Sequence, residues 1–383
     1  MPRIRRRAWL FFFCSDGSAV DIERLLAGEL AGTPSRQLYA LSPAHGAELP
    51  ITREELDVLL ALPSDETAEA DGFPSDIVAA LLERGLVVDE SGDALDGRLR
   101  ESGWNVHAAA YHFLTRWRDI DLRNEQGEVM PPREEHAQAF LDAHGEPPPP
   151  FRPLADAAQL VELPLIEPDD AFARLLRRRR TTRAFDRTRA LPLDELALVL
   201  REVFGAHGYA SSADRRIVTL KRTSPSGGGL HPIEAFPLIT NVAGLARGIY
   251  HYDAERHALE LLEPLDADAA VTLAERFVCG QTYFGSAHAL LLFVARFARS
   301  HWKYRRHQKA YASVLLDAGH LSQTLYLVAT ARGLGAFITT VINNAEIDER
   351  LALDGVDEGT VAVAGVGVPG GTSPFDPVFR PLP

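Results

Sequence analysis

Four consecutive prolines, Pro147 to Pro150 in GEPPPPFRPLADA, constrain this chain more than any other feature. None can donate a backbone N–H and each holds φ near −65°, so the stretch cannot be helical and reads as an extended, semi-rigid spacer. It interrupts a chain of 383 residues, long enough for more than one core. The predicted division is a small α+β unit over 1–100, an aromatic helix with the proline-rich linker over 101–154, and a main domain over 155–383.

In the first unit, WLFFF and RQLYALS carry strand patterning. ITREELDVLLAL places Thr52 as an N-cap with Glu55 three residues on, a capping box. SDIVAALLERGLVVDE predicts a second helix stopping at Gly85, then a short strand. Helix, turn, helix and strand in that order form a winged-helix-like pattern. A net charge of −13 argues against nucleic acid or an anionic membrane as its partner. The expected partner is a peptide or another protein, unless the unit only packs on the rest of the chain.

AWLFFFC is too short to span a membrane and runs directly into charged sequence, so it is read as the first strand of a cytoplasmic protein. Cys14 and Cys279 form no CxxC motif and no disulfide framework. WNVHAAAYHFLTRWR, residues 104 to 118, predicts an aromatic helix with His107 and Tyr111 on one face. Two histidines five apart do not face one metal, HExxH is absent, and no metal site is expected. The aromatics are assigned to core or interface.

The main domain opens with the helix DDAFARLL. In LPLDELALVLREVFG, Leu196, Val199, Leu200, Val203 and Phe204 keep helical spacing before a stop at Gly205. RIVTL and EAFPLIT are strands around a glycine-rich loop, GIYHYDAERHALELL is a hairpin, and HALLLFVARF is a buried strand. A helix from Arg306 to Arg332 is apolar almost all round and is expected to be buried, centrally or at a dimer interface. It carries Asp317, His320 and Thr324 on one stripe.

Three features carry candidate chemistry. Arg177 to Arg180 and Arg183 form a basic focus beside Thr181 and Thr182, either a solvated helix end or a phosphate clamp. SPSGGGLHP supplies main chain without Cβ atoms, either a flexible connection or a platform for a flat ligand. Lys303 is one of only three lysines, with Lys221 and Lys309, and adjoins Tyr304; alone it reads as a basic, exposed helix start. GVGVPG near the C-terminus matches GxGxxG, but a proline follows where a helix is required, so dinucleotide binding by that route is rejected.

Together RRRTTRAF, PSGGGLHPIEAF, GIYHYDAERHALELL, the KY pair and VAVAGVGVP resemble the FMN-dependent nitroreductase superfamily, over about Ala171 to Pro383. More narrowly they resemble its SagB-type azoline dehydrogenases and a subgroup of peptide-maturation dehydrogenases. The resemblance implies an α+β chain: a nitroreductase-like three-layer α/β/α domain with an antiparallel-rich mixed sheet, behind the small winged-helix-like domain. It implies a homodimer with FMN at its interface. Arg179, Arg180, Thr181 and Arg183 match positions at the phosphate and pyrimidine edge. Pro225, Ser226, Gly227 and Gly228 match the loop that reaches the flavin from the partner subunit. Thr340, Val341 and Ile342 match the stretch beside N5, with contacts expected from main chain, and Arg380 matches a C-terminal basic residue at the phosphate. Lys303 and Tyr304 match a catalytic pair associated with proton abstraction. Thr181 stands where serine is usual.

The implied function is oxidation of thiazoline or oxazoline rings to thiazole or oxazole in a modified precursor peptide, with hydride passing to flavin and a buried Lys303 as base. A cyclodehydratase or other maturation enzyme is an expected partner. The alternatives are an NAD(P)H reductase of the same fold, acting on a dehydroamino acid, nitro or quinone compound, and a non-catalytic peptide-binding subunit.

Overall fold

The computed structural model describes residues 3–18, 34–90, 92, 94–124, 126–129, 138, 141–142, 145–151, 159–212 and 217–379. Near the N-terminus, β1 (Arg3–Arg6), β2 (Phe11–Ser18), β3 (Pro34–Ser42) and β4 (Ala47–Ile51) precede α1 (Arg53–Ala61). Thr52 accepts from the Glu55 N–H while the Glu55 carboxylate accepts from the Thr52 N–H, the capping box expected from the sequence. Next come β5 (Ala68–Glu69), α2 (Ser75–Glu83) and β6 (Val87–Asp89). Gly85, in the left-handed region at φ 64°, makes the turn into β6. β1 pairs between β5 and β6, and β2–β3–β4 is a separate meander. Ile4, Leu59, Leu81 and Leu86 are fully buried in a core that belongs to this unit alone.

α3 (Ala94–Glu101) and α4 (Val106–Leu114) come next. Leu99, Trp104 and Phe113 of this stretch join the core of the main domain. Trp104 is 1% exposed, donates Nε1–H to the Val356 carbonyl at 2.8 Å, and lies 5.1 Å from the His112 ring. The boundary between cores therefore falls before the aromatic helix. Pro147 to Pro150 are exposed and outside regular structure, as expected of a spacer.

The main domain runs α5 (Ala171–Arg178), α6 (Leu193–Phe204), β7 (Gly208–Ser211), β8 (Val218–Lys221), β9 (Ile233–Ile239), β10 (Gly248–Asp253) and β11 (Ala258–Pro264). It continues with α7 (Ala267–Phe277), α8 (Thr282–Gly285), β12 (Ala289–Arg296), α9 (Phe297–Tyr304) and α10 (Ala310–Ala331). It ends with β13 (Gly335–Thr339), α11 (Asn344–Arg350) and β14 (Glu358–Gly367). Six strands form one sheet in the order β11-β10-β9-β12-β14-β13, with every ladder antiparallel and a parallel bridge from Leu191 to Val242.

Side chains alternate across a strand, and β12 shows the result. Leu291 and Phe293 enter the core shared with α6 and α10; Leu290 and Leu292 enter the core shared with α7 and α11. The sheet is thus covered on both faces, an α/β/α arrangement. The glycines of GVGVPG serve packing: a Cβ at Gly365 would strike the Phe337 ring, and one at Gly367 would strike His288.

α10 departs from the expectation of full burial. Ala312, Leu315, Leu316, Gly319 and Gln323 form an exposed stripe, Leu316 being 60% exposed. Among the described residues no helix is long and apolar enough to cross a membrane.

Candidate functional site

The loop between β8 and β9 is pinned on both sides. Ser224 Oγ lies 2.6 Å from Thr324 Oγ1. Asp317, 4% exposed, accepts from the Ser226 hydroxyl and from the Gly227 N–H at 3.1 Å. The His231 N–H donates to Ser226 Oγ at 2.9 Å, and its Nε2–H to the Leu220 carbonyl at 3.1 Å, which fixes the tautomer. Burial and Arg222 lower the His231 pKa, which favours the neutral ring. The flexible-connection reading of the loop is therefore set aside.

Gly228 and Gly229 sit in the left-handed region at φ 64° and 68°. A Cβ on Gly228 would come within 2.7 Å of Lys303 Nζ and closer still to the Tyr304 hydroxyl. The sequence thus needs glycine here twice, for its φ and for the space that the Lys-Tyr pair occupies. Lys303 Nζ donates to the Gly228 carbonyl at 3.3 Å and stands 5.5 Å from the Tyr304 ring centroid. Both residues close α9 rather than start a helix. Lys303 is exposed, so the expected burial of its ammonium is not found in the single chain.

The arginines follow α5. Asp170 caps its start by accepting from the Ala173 N–H at 2.9 Å, and Arg179 closes its end. Arg179 lies over the Tyr326 ring at 5.2 Å, and Thr181 Oγ1 is 3.0 Å from the Tyr326 hydroxyl. The Thr182 N–H donates to the Ala336 carbonyl at 2.8 Å, tying this turn to β13. Arg183 Nη1 is 3.7 Å from Asp376. Arg180 is exposed with no carboxylate partner among the described residues, and the same holds for Arg177 and Arg178. Guanidinium donors left unpaired in an acidic chain, beside a threonine hydroxyl, suit a phosphate monoester. By its donor set this cradle fits the phosphate of the FMN that the resemblance implies.

The stretch after β13 fits less completely. Thr340 is exposed. The Val341 N–H donates to Thr339 Oγ1 at 3.1 Å and its carbonyl accepts from Gln281 Nε2 at 3.0 Å. Ile342, 2% exposed, packs in the second core. The main-chain contacts expected of Val341 are thus taken within the chain, and Ile342 offers no side chain to a ligand. Pro225 is exposed at the loop's entrance. Arg380 lies outside the described residues.

The two half-sites lie on different sides of α10. The loop meets it at Ser313, Asp317 and Thr324, the arginine turn at Tyr326. Thr324 and Tyr326 are two positions apart, about 200° around a helix. By the same spacing the exposed stripe of α10 lies on the Tyr326 side of the helix, away from Thr324. Asp317, His231 and Tyr326 were not singled out as site residues by sequence reasoning; the polar stripe Asp317, His320 and Thr324 on an apolar helix was the signal that could have found the first.

Residues 176–368 match the family model described as Nitroreductase family. The Methanocaldococcus jannaschii protein named "Putative nitroreductase MJ1384" is 28% identical over 193 residues, 50% of this chain and 89% of that protein. The trifolitoxin-processing protein TfxB of Rhizobium leguminosarum bv. trifolii is 27% identical over 136 residues, 35% of this chain and 36% of that protein. A chain of the E. coli microcin synthetase McbBCD complex with truncated pro-MccB17 bound is similar in fold, with TM-score 0.50 and 20% identity over 68% of this chain and 91% of the other.

Proposed function

This chain belongs to the nitroreductase family and is an FMN-dependent oxidoreductase; from that premise we propose that it works as a reductase, with a nicotinamide as electron donor and a peptide-borne dehydroamino acid, a nitro compound or a quinone as acceptor. The observation that carries the reading is that one helix holds both a pinned glycine loop and an arginine turn whose Arg180 has no carboxylate partner among the described residues. Bound FMN supplies the two-electron chemistry. The chain's own residues would bind and orient it: Arg180 and Arg183 would hold the phosphate, with Arg179 kept beside them by Tyr326, and Gly227 and Gly228 would offer main chain to the ring.

The active unit in this proposal is a cytoplasmic homodimer. Because the half-sites face different sides of α10, one chain cannot close both around one cofactor. Pairing two copies through the stripe of Leu315, Leu316 and Gly319 sets the loop of one against the arginines of the other. The site is then incomplete without the second copy.

A second reading, oxidation of a thiazoline or oxazoline in a precursor peptide, has its own observation in its favour. Lys303 and Tyr304 meet the glycine loop, and no carboxylate competes for Lys303 Nζ among the described residues. Aromatising an azoline removes one hydride and one proton, and Lys303 would take that proton only once its ammonium, exposed in the single chain, had lost its own. The likeness to a trifolitoxin-processing protein and to a microcin synthetase chain points the same way. The N-terminal unit, read as winged-helix-like, would then hold the peptide or a maturation partner.

Anaerobic mixing separates the two. The reductase reading expects flavin bleaching by NADPH or NADH and none by an azoline peptide. Bleaching by the azoline peptide alone, lost in Lys303→Ala, would replace it with the dehydrogenase reading.

A further inference from the structure

A cavity of 940 Å³ opens beside the glycine loop, lined by Val218 and Thr219 of β8, Gly228, and Arg299, Trp302 and Lys303 of α9. Its wall includes an unpaired strand edge. The Lys221 carbonyl accepts from the His207 N–H at 2.8 Å, and the Ile217 carbonyl from the Ser212 N–H at 2.9 Å, so these residues of the β8 side point toward β7. Backbone groups alternate along an antiparallel strand, so those of Val218 and Leu220 point away from β7. The Leu220 carbonyl confirms the direction, because it accepts from His231. Val218 has no such cap among the described residues, and it lines the cavity.

The charges select what could fill this space. Asp354 and Asp357 both pair with Arg98, and Glu358 pairs with Arg296 at 3.2 Å. Arg299 and Lys303 have no carboxylate in reach among the described residues; Arg299 donates to the Leu230 carbonyl instead. The uncompensated positive charge therefore sits at the end of the cavity nearest Gly228. Trp302, 56% exposed, offers an apolar face beside it.

We propose that this cavity takes an extended peptide substrate, which adds as a strand to the free edge of β8 at Val218 and presents an acidic group to Arg299. It rests on the reading that the substrate is a peptide, and holds for either direction of electron flow. Main-chain bonding to Val218 sets the register, which brings one residue of the peptide to Gly228 and Lys303.

The test uses the FMN-loaded full chain and a panel of fluorescein-labelled octapeptides, each with one thiazole and one glutamate, followed by anisotropy. At least one member should bind. N-methylation of alternate amides should weaken it more than tenfold in one phase and less than twofold in the other. Val218→Pro, which removes the cavity-facing N–H, should cost more than tenfold while flavin content and melting temperature hold. Arg299→Gln should abolish the preference for glutamate over glutamine. No binding by any member, binding indifferent to both methylation phases and to Val218→Pro, or closure of the cavity by a second copy, overturns the proposal. Binding of the matching thiazoline octapeptide without flavin bleaching would instead retire the azoline reading and leave the groove standing.

Discussion

Asp317 holds the glycine loop through both carboxylate oxygens, one accepting from the Ser226 hydroxyl and the other from the Gly227 N–H at 3.1 Å. Removing the carboxylate leaves two donors without their acceptor beneath a loop that cannot relax freely. Asp317→Ala is expected to cost about 1.5–3 kcal/mol, the range for a hydrogen bond to a charged group. The same change should weaken FMN binding. Urea denaturation and FMN titration check the two effects; an unchanged FMN affinity would disconnect the loop from the cofactor.

Gly228→Ala should damage activity more than stability. The new Cβ meets the tips of Lys303 and Tyr304, which can swing aside, and the left-handed backbone adds about 1–2 kcal/mol. Displacing that pair should slow electron transfer between flavin and substrate more than tenfold, since small misplacements at a reacting centre are costly. Stopped-flow absorbance against a melting curve separates the two effects.

Arg180→Ala should leave folding alone, because the side chain is exposed and unpaired. Losing one charged contact to phosphate should cost about 2 kcal/mol, roughly 30-fold in the FMN dissociation constant. The loss should shrink at high salt. Fluorescence titration at two ionic strengths checks it, and riboflavin, which has no phosphate, should bind both proteins alike.

Three buried groups predict how stability follows pH. His112, between the Tyr311 hydroxyl and the Gly355 carbonyl, is held neutral by burial, with its pKa lowered from 6.5 to about 3. Burial lowers His301 to about 4. The unfolded chain takes up both protons near 6.5, so their contribution is present above that value and is lost as pH falls below it. Asp348 opposes them: burial raises it from 3.8 to about 6 despite Arg116, so its contribution is present at low pH and lost as pH rises through 6. Between pH 6.5 and 4 the balance is two protons against one. These three groups should make stability fall with pH by at most about 1.4 kcal/mol per unit. Urea midpoints at pH 6.5 and 5 should show this fall, and His112→Gln should flatten it.

Much of this was legible in the sequence because it depends on near neighbours. Leu196, Val199, Leu200, Val203 and Phe204 are all buried as their helical spacing required. The Thr52 capping box and the strand run of β12 formed where local pattern placed them. The glycine loop, the arginine turn and the Lys-Tyr pair were recognisable as motifs for the same reason: each is a few consecutive residues. α9 was not read, being eight residues long and without an apolar stripe that spacing alone would reveal.

What only the tertiary structure decided is which sides of one helix those motifs meet. Composition made α10 look buried all round, yet burial depends on what packs against each side, and nothing among the described residues covers Leu316 or Gly319. Asp317 becomes the anchor of a loop 90 residues earlier only because folding brings that loop to it. The sequence by itself determined the parts of the proposed flavin site and the elements that carry them. Their division across α10, which leaves one chain with two separate halves, is a matter of long-range packing that no local spacing encodes.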